Sequence, residues 1–535
     1  MKKNYLTLKK IIFSFIIIYS FYSALKVEIG PDTLSMYALG FSNLNYFFHF
    51  SLEKYFKSAP SFYMGYQGLY NVFSALIVQI ISLKFKIQIL HLVNLIFFIF
   101  SALGIYRISK IIFNKDIATI VFIFYFFNPS LFGFSFISER DIPLVFSLIF
   151  FLLYSILYLK NQHLKKNKKY IFWIIISLLV GLSVRIFFAG IILIVFLFLL
   201  LDIFFLKKIT SKSINLKKLV LDIFFVFFLT YFILILSWPA AHENIIFKPF
   251  ELVFASQKIA YGWPHTMLNG EIFKPHDYNS FTYLPLVIFF NLPEYIIFLY
   301  GIFLVLIFNI SFRNYILKYS YFLKFLFFFY LFFYFLFFLN FYPVYEDMRL
   351  FLFLLPFLNF IPAITIYYLM SKRDVIYKYS KYCFFLFFIY YIFFFFSLNP
   401  YQYVYKNLFA GSFDNLHNKF ENDYWALSVN ELFNWLKFHK SMSTNLHDQF
   451  DYEKYSRVNF CGVIDGTAKY YLNKNIDIKF IHDKINFDYV IMVNRVDWTD
   501  PRTCFEKYKD SEKLLEVKRR GLTLSSLIKI KKNVD

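Results

Sequence analysis

The stretch Ser138-Glu139-Arg140-Asp141-Ile142-Pro143 places three charged side chains between two strongly apolar segments. IATIVFIFYFF (117–127) lies upstream and LVFSLIFFLLYSILYL (144–159) lies downstream. Apolar runs of this kind recur along the chain, and many approach the roughly 20 residues that cross a bilayer as a helix. Charged side chains are costly inside a bilayer. The stretch is therefore predicted to lie at the membrane surface, between two membrane helices.

The composition supports this interpretation for the whole chain. Its 535 residues are 59% hydrophobic and 24% aromatic, with a mean hydropathy of +0.54. Soluble chains contain about 45–50% apolar residues, so we expect an all-α polytopic membrane protein. The formal net charge is +22. Its lysines cluster in short loops between apolar segments, as the positive-inside rule requires, so binding of nucleic acid is not expected.

The basic loops also predict the topology. The N-terminal segment lacks an A-x-A cleavage pattern, so it is predicted to be an uncleaved first helix with a cytoplasmic N-terminus. Residues 70–85 are expected to lie along the outer interface, because a crossing there would invert every later basic loop. About eleven spans result: the first helix and residues 87–108, 116–130, 143–159, 170–184, 187–206, 219–237, 285–310, 322–341, 350–370 and 382–398. The odd number places the C-terminal part outside the cytoplasm.

Residues 399–535 differ in composition from the apolar residues 1–398, which are predicted to form one transmembrane domain. FDYVIMVNRV (487–496) is typical of a buried strand and LTLSSLIKIKK (522–532) of an alternating one. WALSVNELFNWLKFH (425–439) indicates an amphipathic helix. We therefore predict a small extracytoplasmic α/β domain. Cys461 and Cys504 could form a disulfide in such a compartment.

This topology collects charged residues on the outer face. They are Asp32 after the first helix, Glu139, Arg140 and Asp141 before the fourth, Arg185 between the fifth and sixth, and Glu346, Asp347 and Arg349 at the tenth. A carboxylate there can act as a general base or hold a divalent cation. Arginines can hold a lipid-linked phosphate. Outer turns also need polar residues for purely structural reasons, and Arg185 could simply extend to the surface.

The order of these motifs resembles the GT-C superfamily of integral membrane glycosyltransferases. The branch is that of protein mannosyltransferases and aminoarabinose transferases, glycosyltransferase family 39. The resemblance covers the first seven helices best and rests on Asp32 after the first helix, the interfacial helix, Pro143-Leu144 after Asp141, Gly181-Leu182 before Arg185, and Pro356 after Arg349. Two further segments, residues 269–295 and 399–432, are similar to segments of bacterial members.

The resemblance implies a GT-C fold and an inverting transfer of a hexose or pentose from a polyprenyl-phosphate donor. The acceptor would be a lipid, a glycan or a protein on the outer face of the inner membrane. Asp32 matches the proposed general base or acceptor-orienting acid, and Asp141 matches the second-loop acid, with Glu139 as its alternative. The arginines expected to contact the donor phosphate are Arg140, Arg185 and Arg349.

Thr33 is a departure from the family pattern, because many members have Glu at this position. The departure leaves open the type of acceptor and the use of a divalent cation such as Mg²⁺ or Mn²⁺, for which Asp32 and Asp141 would be the ligands. The residues expected to contact an acceptor are His265, His276, Tyr424 and Trp425. The alternatives are a solvated loop for the two histidines and a packing role for the Tyr-Trp pair.

Two other functions stay open at the level of sequence. A flippase or transporter of lipid-linked glycans would have charges at mid-membrane depth and internal repeats. Apart from Arg185 the charges lie at helix ends, and no repeat is visible, so this function is disfavoured. An inactive member that only binds glycan is the second alternative, and activity that survives Asp32→Asn would support it.

Overall fold

The computed structural model describes most of the chain. The described residues are 2–59, 68–163, 167–209, 214–252, 254, 265–275, 280–338, 344–372, 374–442, 454–497 and 500–530. Of the predicted site residues, only His276 lies outside these ranges.

The first half of the chain is helical. Its helices are α1 (Lys2–Lys26), α2 (Pro31–His49), α3 (Leu52–Ser58), α4 (Leu69–Ile81), α5 (Lys86–Ile112), α6 (Lys115–Phe126), α7 (Pro129–Phe134), α8 (Asp141–Lys160), α9 (Lys168–Val184), α10 (Phe188–Leu201) and α11 (Leu216–Leu236). Asparagine begins several of them. The side chains of Asn114, Asn128 and Asn215 accept backbone N–H groups at the starts of α6, α7 and α11. These caps satisfy donors that have no partner inside the helix.

The second half continues this pattern and ends in a smaller mixed region. Its helices are α12 (Ser280–Asn291), α13 (Glu294–Leu306), α14 (Ile310–Leu317), α15 (Ser320–Phe338), α16 (Leu355–Leu358), α17 (Phe360–Ser371), α18 (Val375–Ser397), α19 (Val429–Met442), α20 (Asp465–Lys474) and α21 (Cys504–Lys507). A 3-10 helix, Asp347–Phe351, precedes α16.

The helices confirm the predicted class of a polytopic membrane protein. Among the described residues, five helices are long and apolar enough to cross a membrane, or seven if each of two bent pairs is one span. Each predicted span coincides with a helix or with consecutive helices. The count of about eleven stays a prediction, because several of these helices are short. Helix α8 lies at the centre of the helices. In its most apolar stretch of 18 residues, 94% of the residues are buried, against 22% in the corresponding stretch of α11.

The structure differs from the sequence prediction in two places. Residues 285–310 were expected to form one straight helix, but α12 and α13 meet at 110°. Pro293 is the N-cap of α13, and proline cannot continue a helix through its missing N–H. No helix was predicted between residues 27 and 66, which were expected to lie outside the cytoplasm, but this segment contains α2 and α3.

The C-terminal region contains the predicted α/β fold. Its five-stranded sheet has the order β4-β3-β5-β7-β6, with β3 parallel to β4 and β5, and with β7 antiparallel to β5 and β6. The strands are β3 (Ser456–Cys461), β4 (Phe480–His482), β5 (Tyr489–Val493), β6 (Glu512–Arg519) and β7 (Leu522–Lys529). A separate hairpin of β1 (Thr266–Leu268) and β2 (Glu271–Phe273) precedes them in the chain. The strands expected within 487–496 and 522–532 are thus β5 and β7.

A disulfide and a hydrophobic core stabilise the C-terminal region. Cys461, at the end of β3, forms a disulfide with Cys504, at the start of α21. The sheet packs on α19 and α20 around a second core, to which Ile29 and Ile87 of the helical region also contribute. The segment that precedes α19 packs differently, because Tyr403, Tyr405 and Trp425 belong to the large core of the helical region. The boundary predicted between residues 398 and 399 stays a prediction.

Candidate active site

Asp32 and Asp141 each lie in the first turn of a helix, α2 and α8 respectively. The unpaired N–H groups and the dipole of a helix N-terminus favour a negative charge at this position. Ser138 adds to this support. Its hydroxyl donates to Asp141 Oδ2 at 2.7 Å and accepts from the backbone N–H of Asp141 at 3.3 Å. Local structure therefore prepares both positions for a carboxylate.

Arg349 connects the two carboxylates. Its Nε donates to Asp141 Oδ2 at 3.0 Å, and its NH2 forms an ion pair with Asp32 Oδ2. Arg140 pairs with the same oxygen of Asp32. Asp32, Arg140 and Arg349 are all less than 10% exposed. Three segments that are far apart in sequence thus meet in one buried ion network, and the catalytic and phosphate-binding roles of these residues stay predictions.

Arg185 completes this network from the end of α9. Its Nε donates to Asp141 Oδ1 at 2.8 Å and its NH2 lies 2.6 Å from the same oxygen. Asp141 therefore has a guanidinium on each carboxylate oxygen. Arg185 is buried, so it does not extend to the surface, which was the structural alternative at the level of sequence.

Glu139 lies beside the network, and within the described ranges it forms no ion pair with a cation. Thr33 donates to Glu139 Oε1 at 2.7 Å, while the buried Oε2 has no hydrogen-bond partner in the described part of the chain. Burial raises the pKa of Glu139 to about 8, against the opposing effects of Thr33 and Arg140. Charge is disfavoured in a low-dielectric environment unless it is paired. This raised pKa favours the protonated form of Glu139 near neutral pH.

The network also contains residues whose part in it was not predicted from the sequence. Glu346 pairs with Arg349 through Oε2 and lies 3.4 Å from Arg495 NH2 through Oε1. Trp425 packs its ring 4.6 Å from the guanidinium of Arg349. Glu346 was noted among the outer charges, but Arg495 was read only as part of a strand. A lone arginine directly after a buried strand was the one available signal.

A second buried pair adjoins this network. Lys406 Nζ lies 2.6 Å from Asp347 Oδ2 and donates to Asn291 Oδ1 at 3.1 Å. Asn291 Nδ2 in turn donates to Asp347 Oδ1 at 3.1 Å. Lys406 stands alone in a run of aromatic residues, and this isolation could have marked it as a buried, paired lysine.

Counting formal charges shows what the network favours. Its carboxylates are those of Asp32, Asp141 and Glu346, and its guanidiniums are those of Arg140, Arg185, Arg349 and Arg495. Glu421 also interacts electrostatically with Arg495, so these groups come close to neutrality when Glu139 is protonated. Guanidiniums bind phosphate oxygens in the same planar, forked geometry as carboxylates. An arginine of this network can therefore exchange a carboxylate partner for an added phosphate.

The predicted acceptor residues lie at different depths. Trp425 is buried against Arg349, and Tyr424 is buried with its carbonyl accepting from Arg495 NH1 at 3.0 Å. His265 is half-buried immediately before β1. His276 lies outside the described residues. Contact of these four residues with an acceptor stays a prediction.

The described side chains do not fit a resident divalent cation. No group of three or more His, Cys, Asp or Glu side chains within the described ranges could hold a metal ion. Asp32 and Asp141, the predicted ligands, each pair with two guanidiniums, whose positive charges would repel a cation. Use of Mg²⁺ or Mn²⁺ stays a prediction, and no chemical step is derived from it.

Comparison with known proteins identifies the fold. No family model and no curated protein sequence matches the chain. Two crystal structures of ArnT from Cupriavidus metallidurans are similar over nearly their whole length, with 10% identity and a TM-score of 0.50 each. The apo structure matches 98% of both chains; the structure bound to undecaprenyl phosphate matches 99% of this chain and 98% of the other.

This similarity spans the membrane helices and the C-terminal region together. At 10% identity it shows the fold, and the predicted GT-C architecture is thereby confirmed. The chain has the fold of the GT-C integral membrane glycosyltransferases.

Proposed function

We propose that this chain is a glycosyltransferase that moves a hexose or pentose from a polyprenyl-phosphate-linked donor. The acceptor is a lipid, a glycan or a protein at the outer face of the membrane. The observation that carries the proposal is the buried network in which Arg140, Arg185 and Arg349 converge on Asp32 and Asp141 at one end of the bundle. The same fold in ArnT has been solved with undecaprenyl phosphate bound, which supports a donor of this class.

The arginines hold the donor phosphate in this reaction. A guanidinium that now pairs with a carboxylate can pair with a phosphate oxygen instead, because both acceptors present two oxygens in a plane. The phosphate therefore competes with Asp32 for Arg140 and Arg349. Donor binding then frees the carboxylate of Asp32 to accept a hydrogen bond from the acceptor hydroxyl.

The transfer itself is a single displacement. The acceptor oxygen attacks the anomeric carbon, a new C–O bond forms, and the bond from that carbon to the phosphate oxygen breaks. The phosphate leaves with the bonding electron pair, and the arginines stabilise its added charge. The hydroxyl proton passes to a carboxylate, for which Asp32 is the first candidate and Asp141 the alternative. Glu139, the other predicted acid, could accept it only above its raised pKa, where its own proton is lost. Configuration at the anomeric carbon is inverted.

The orientation in the membrane is part of the proposal. The N-terminus is cytoplasmic, and residues 399–535 lie outside the cytoplasm of a bacterial inner membrane. The basic loops support this orientation. The Cys461–Cys504 disulfide supports it as well, because disulfides persist in oxidising compartments. Alkaline phosphatase fused after residue 530 should be active, whereas a fusion within the loop between α8 and α9 should be inactive.

The test of transfer uses membranes that contain the protein and a panel of radiolabelled polyprenyl-phosphate sugars. Label is followed into lipid, glycan and protein fractions for wild type, Asp32→Asn and Asp141→Asn. Asp116→Asn is the matched control, because Asp116 is an exposed aspartate in the first turn of α6. All rates are normalised to the amount of folded protein.

Transfer by wild type and Asp116→Asn that both site variants lose would support the enzyme and its site. Transfer that survives both site changes would place the reaction elsewhere. If wild type transfers label from no donor, the glycosyltransferase proposal is wrong, and a flipping assay with the same lipids becomes the next measurement.

A further inference from the structure

The turn that precedes Arg349 has an unusual backbone. Glu346 and Asp347 both have φ of +54°, in the left-handed region. Two consecutive residues with side chains rarely adopt this conformation, because the Cβ atom crowds the backbone. Such a turn persists only when its surroundings hold it, and residues of this kind concentrate at functional sites.

A cation from the C-terminal region holds each of the two carboxylates. Lys406 Nζ lies 2.6 Å from Asp347 Oδ2, and Arg495 NH2 lies 3.4 Å from Glu346 Oε1. Lys406 is 4% exposed and Arg495 is 3% exposed, so both cations are buried, although Asp347 is only half-buried. Electrostatic attraction is stronger in such an environment than at the surface.

Both cations are themselves fixed. Arg495 follows β5 and also donates from NH1 to the carbonyl of Tyr424 at 3.0 Å. The backbone carbonyl of Arg495 accepts from the N–H of Cys504 at 2.8 Å, so the disulfide lies one hydrogen bond away. Lys406 is anchored by Asn291 of α12. Each cation is therefore held by hydrogen bonds in addition to its ion pair with the turn.

The turn leads directly to Arg349. Glu346 Oε2, the carboxylate oxygen that does not face Arg495, pairs with Arg349 NH1. The backbone carbonyl of Glu346 accepts a hydrogen bond from the backbone N–H of Arg349 at 3.3 Å. Arg349 then reaches Asp32 and Asp141 with its remaining nitrogens. The backbone angle at Glu346 and Asp347 thus decides where this guanidinium points.

We propose that Lys406 and Arg495 are positioning residues of the site: they hold the strained turn Glu346–Asp347 and so aim Arg349 at the donor phosphate. The inference rests on the proposed function, because it assigns Arg349 to a lipid phosphate. It gives the C-terminal region a direct part in donor binding, through two residues that touch neither donor nor acceptor.

The experiment measures binding of two probes to the purified full-length protein, undecaprenyl phosphate and undecaprenol. The variants are Arg495→Gln, Lys406→Gln and the conservative Arg495→Lys. The control is Arg519→Gln, because Arg519 also lies in the C-terminal region but pairs with Glu431 at 2.6 Å, away from the turn. The ratio of the two affinities isolates recognition of the phosphate from binding of the chain.

We expect Arg495→Gln and Lys406→Gln to weaken binding of undecaprenyl phosphate by about tenfold while leaving undecaprenol unchanged. Arg495→Lys should restore part of the loss, and Arg519→Gln should bind like wild type. A general structural defect would weaken both probes together. Should Arg495→Gln fail to fold, Lys406→Gln and Arg495→Lys decide the test.

Two other outcomes separate the inference from the function on which it rests. If wild type prefers undecaprenyl phosphate and both Gln variants keep the full preference, the positioning role is wrong and the proposed function stands. If wild type does not distinguish the two probes, the polyprenyl-phosphate donor is wrong, and the positioning role is overturned with it.

Discussion

The two ends of α8 differ in the burial of their charged side chains. At its start, Asp141 is buried between Arg185 and Arg349. At its end, Lys160 is exposed. Close to it, the hydroxyl of Tyr158 donates a hydrogen bond of 2.6 Å to the half-buried Asp222. Solvated lysines in a short loop satisfy the positive-inside rule at little energetic cost. Buried, interlocked ion pairs are expensive to assemble, so they indicate a site rather than a topology signal.

The largest effect should come from removing the carboxylate at the start of α8. Asp141→Asn leaves two buried guanidiniums with less countercharge and should cost about 3–5 kcal/mol of stability. Asp222→Asn, at the other end, should cost about 1 kcal/mol, because it weakens one hydrogen bond. Thermal unfolding in a single detergent measures both. Equal losses would show that the two ends do not differ in the way we describe.

Close packing beside the site should also be sensitive. A Cβ added at Gly133 of α7 would lie 2.3 Å from the backbone nitrogen of Tyr403, which cannot rotate away. Gly133→Ala should therefore cost about 1–3 kcal/mol. Gly301→Ala is the control, because nothing lies within 4 Å of its Cβ and alanine favours a helix. The thermal midpoint should fall only for Gly133→Ala, and a matching fall in both would argue against a backbone clash.

The protonation of Glu139 predicts a pH dependence. Its pKa is about 8 in the folded protein and 4.5 in the unfolded chain, so the folded state binds more protons between these values. Stability should fall as pH rises from about 4.5 to about 8. Glu139→Gln removes this contribution while it keeps an acceptor for Thr33. The thermal midpoint of the variant should decline less than that of wild type between pH 5 and pH 8, and parallel declines would contradict an elevated pKa.

The smallest effect is expected from the start of α9, next to the loop after α8. Lys168 and Lys169 are exposed, and substitutions of this kind usually change stability by no more than about 0.5 kcal/mol. The double change to Gln should leave the thermal midpoint and sugar transfer at wild-type levels. A clear loss of transfer would mean that this end of the bundle has a functional part that its geometry does not indicate.

Much of the helical fold could be predicted because its determinants are local. The span predicted at residues 143–159 is α8, Asp141–Lys160, and the segment 70–85 contains α4, Leu69–Ile81. A long apolar run satisfies its backbone within itself, so length and composition are sufficient. The bend before α13 was missed although Pro293 marks it locally. Helix α2 was not predicted, because its residues alternate between polar and apolar and form no long apolar run.

The candidate site divides in the same way. Asp32, Arg140, Asp141, Arg185 and Arg349 were recognised because each charge stands out beside an apolar segment. Lys406 and Arg495 lie in the C-terminal part of the chain, where most lysines and arginines are expected to be exposed. Their apolar neighbours in sequence were a weak signal of burial. Their burial follows only from the folded C-terminal region, and the sequence offers no periodic pattern that marks it.

The sequence by itself determined the class of fold, the places where charge meets the membrane and the two sections of the chain, because hydrophobicity over 15 to 25 residues is a local property with a local consequence. Only the tertiary structure decided which charge pairs with which. Asp32 and Arg349 are 317 positions apart, so no local pattern can pair them. Their contact exists because the bundle brings three segments to one end. It also decided that two cations from the C-terminal region reach the turn before Arg349, since pairing through space depends on the whole fold.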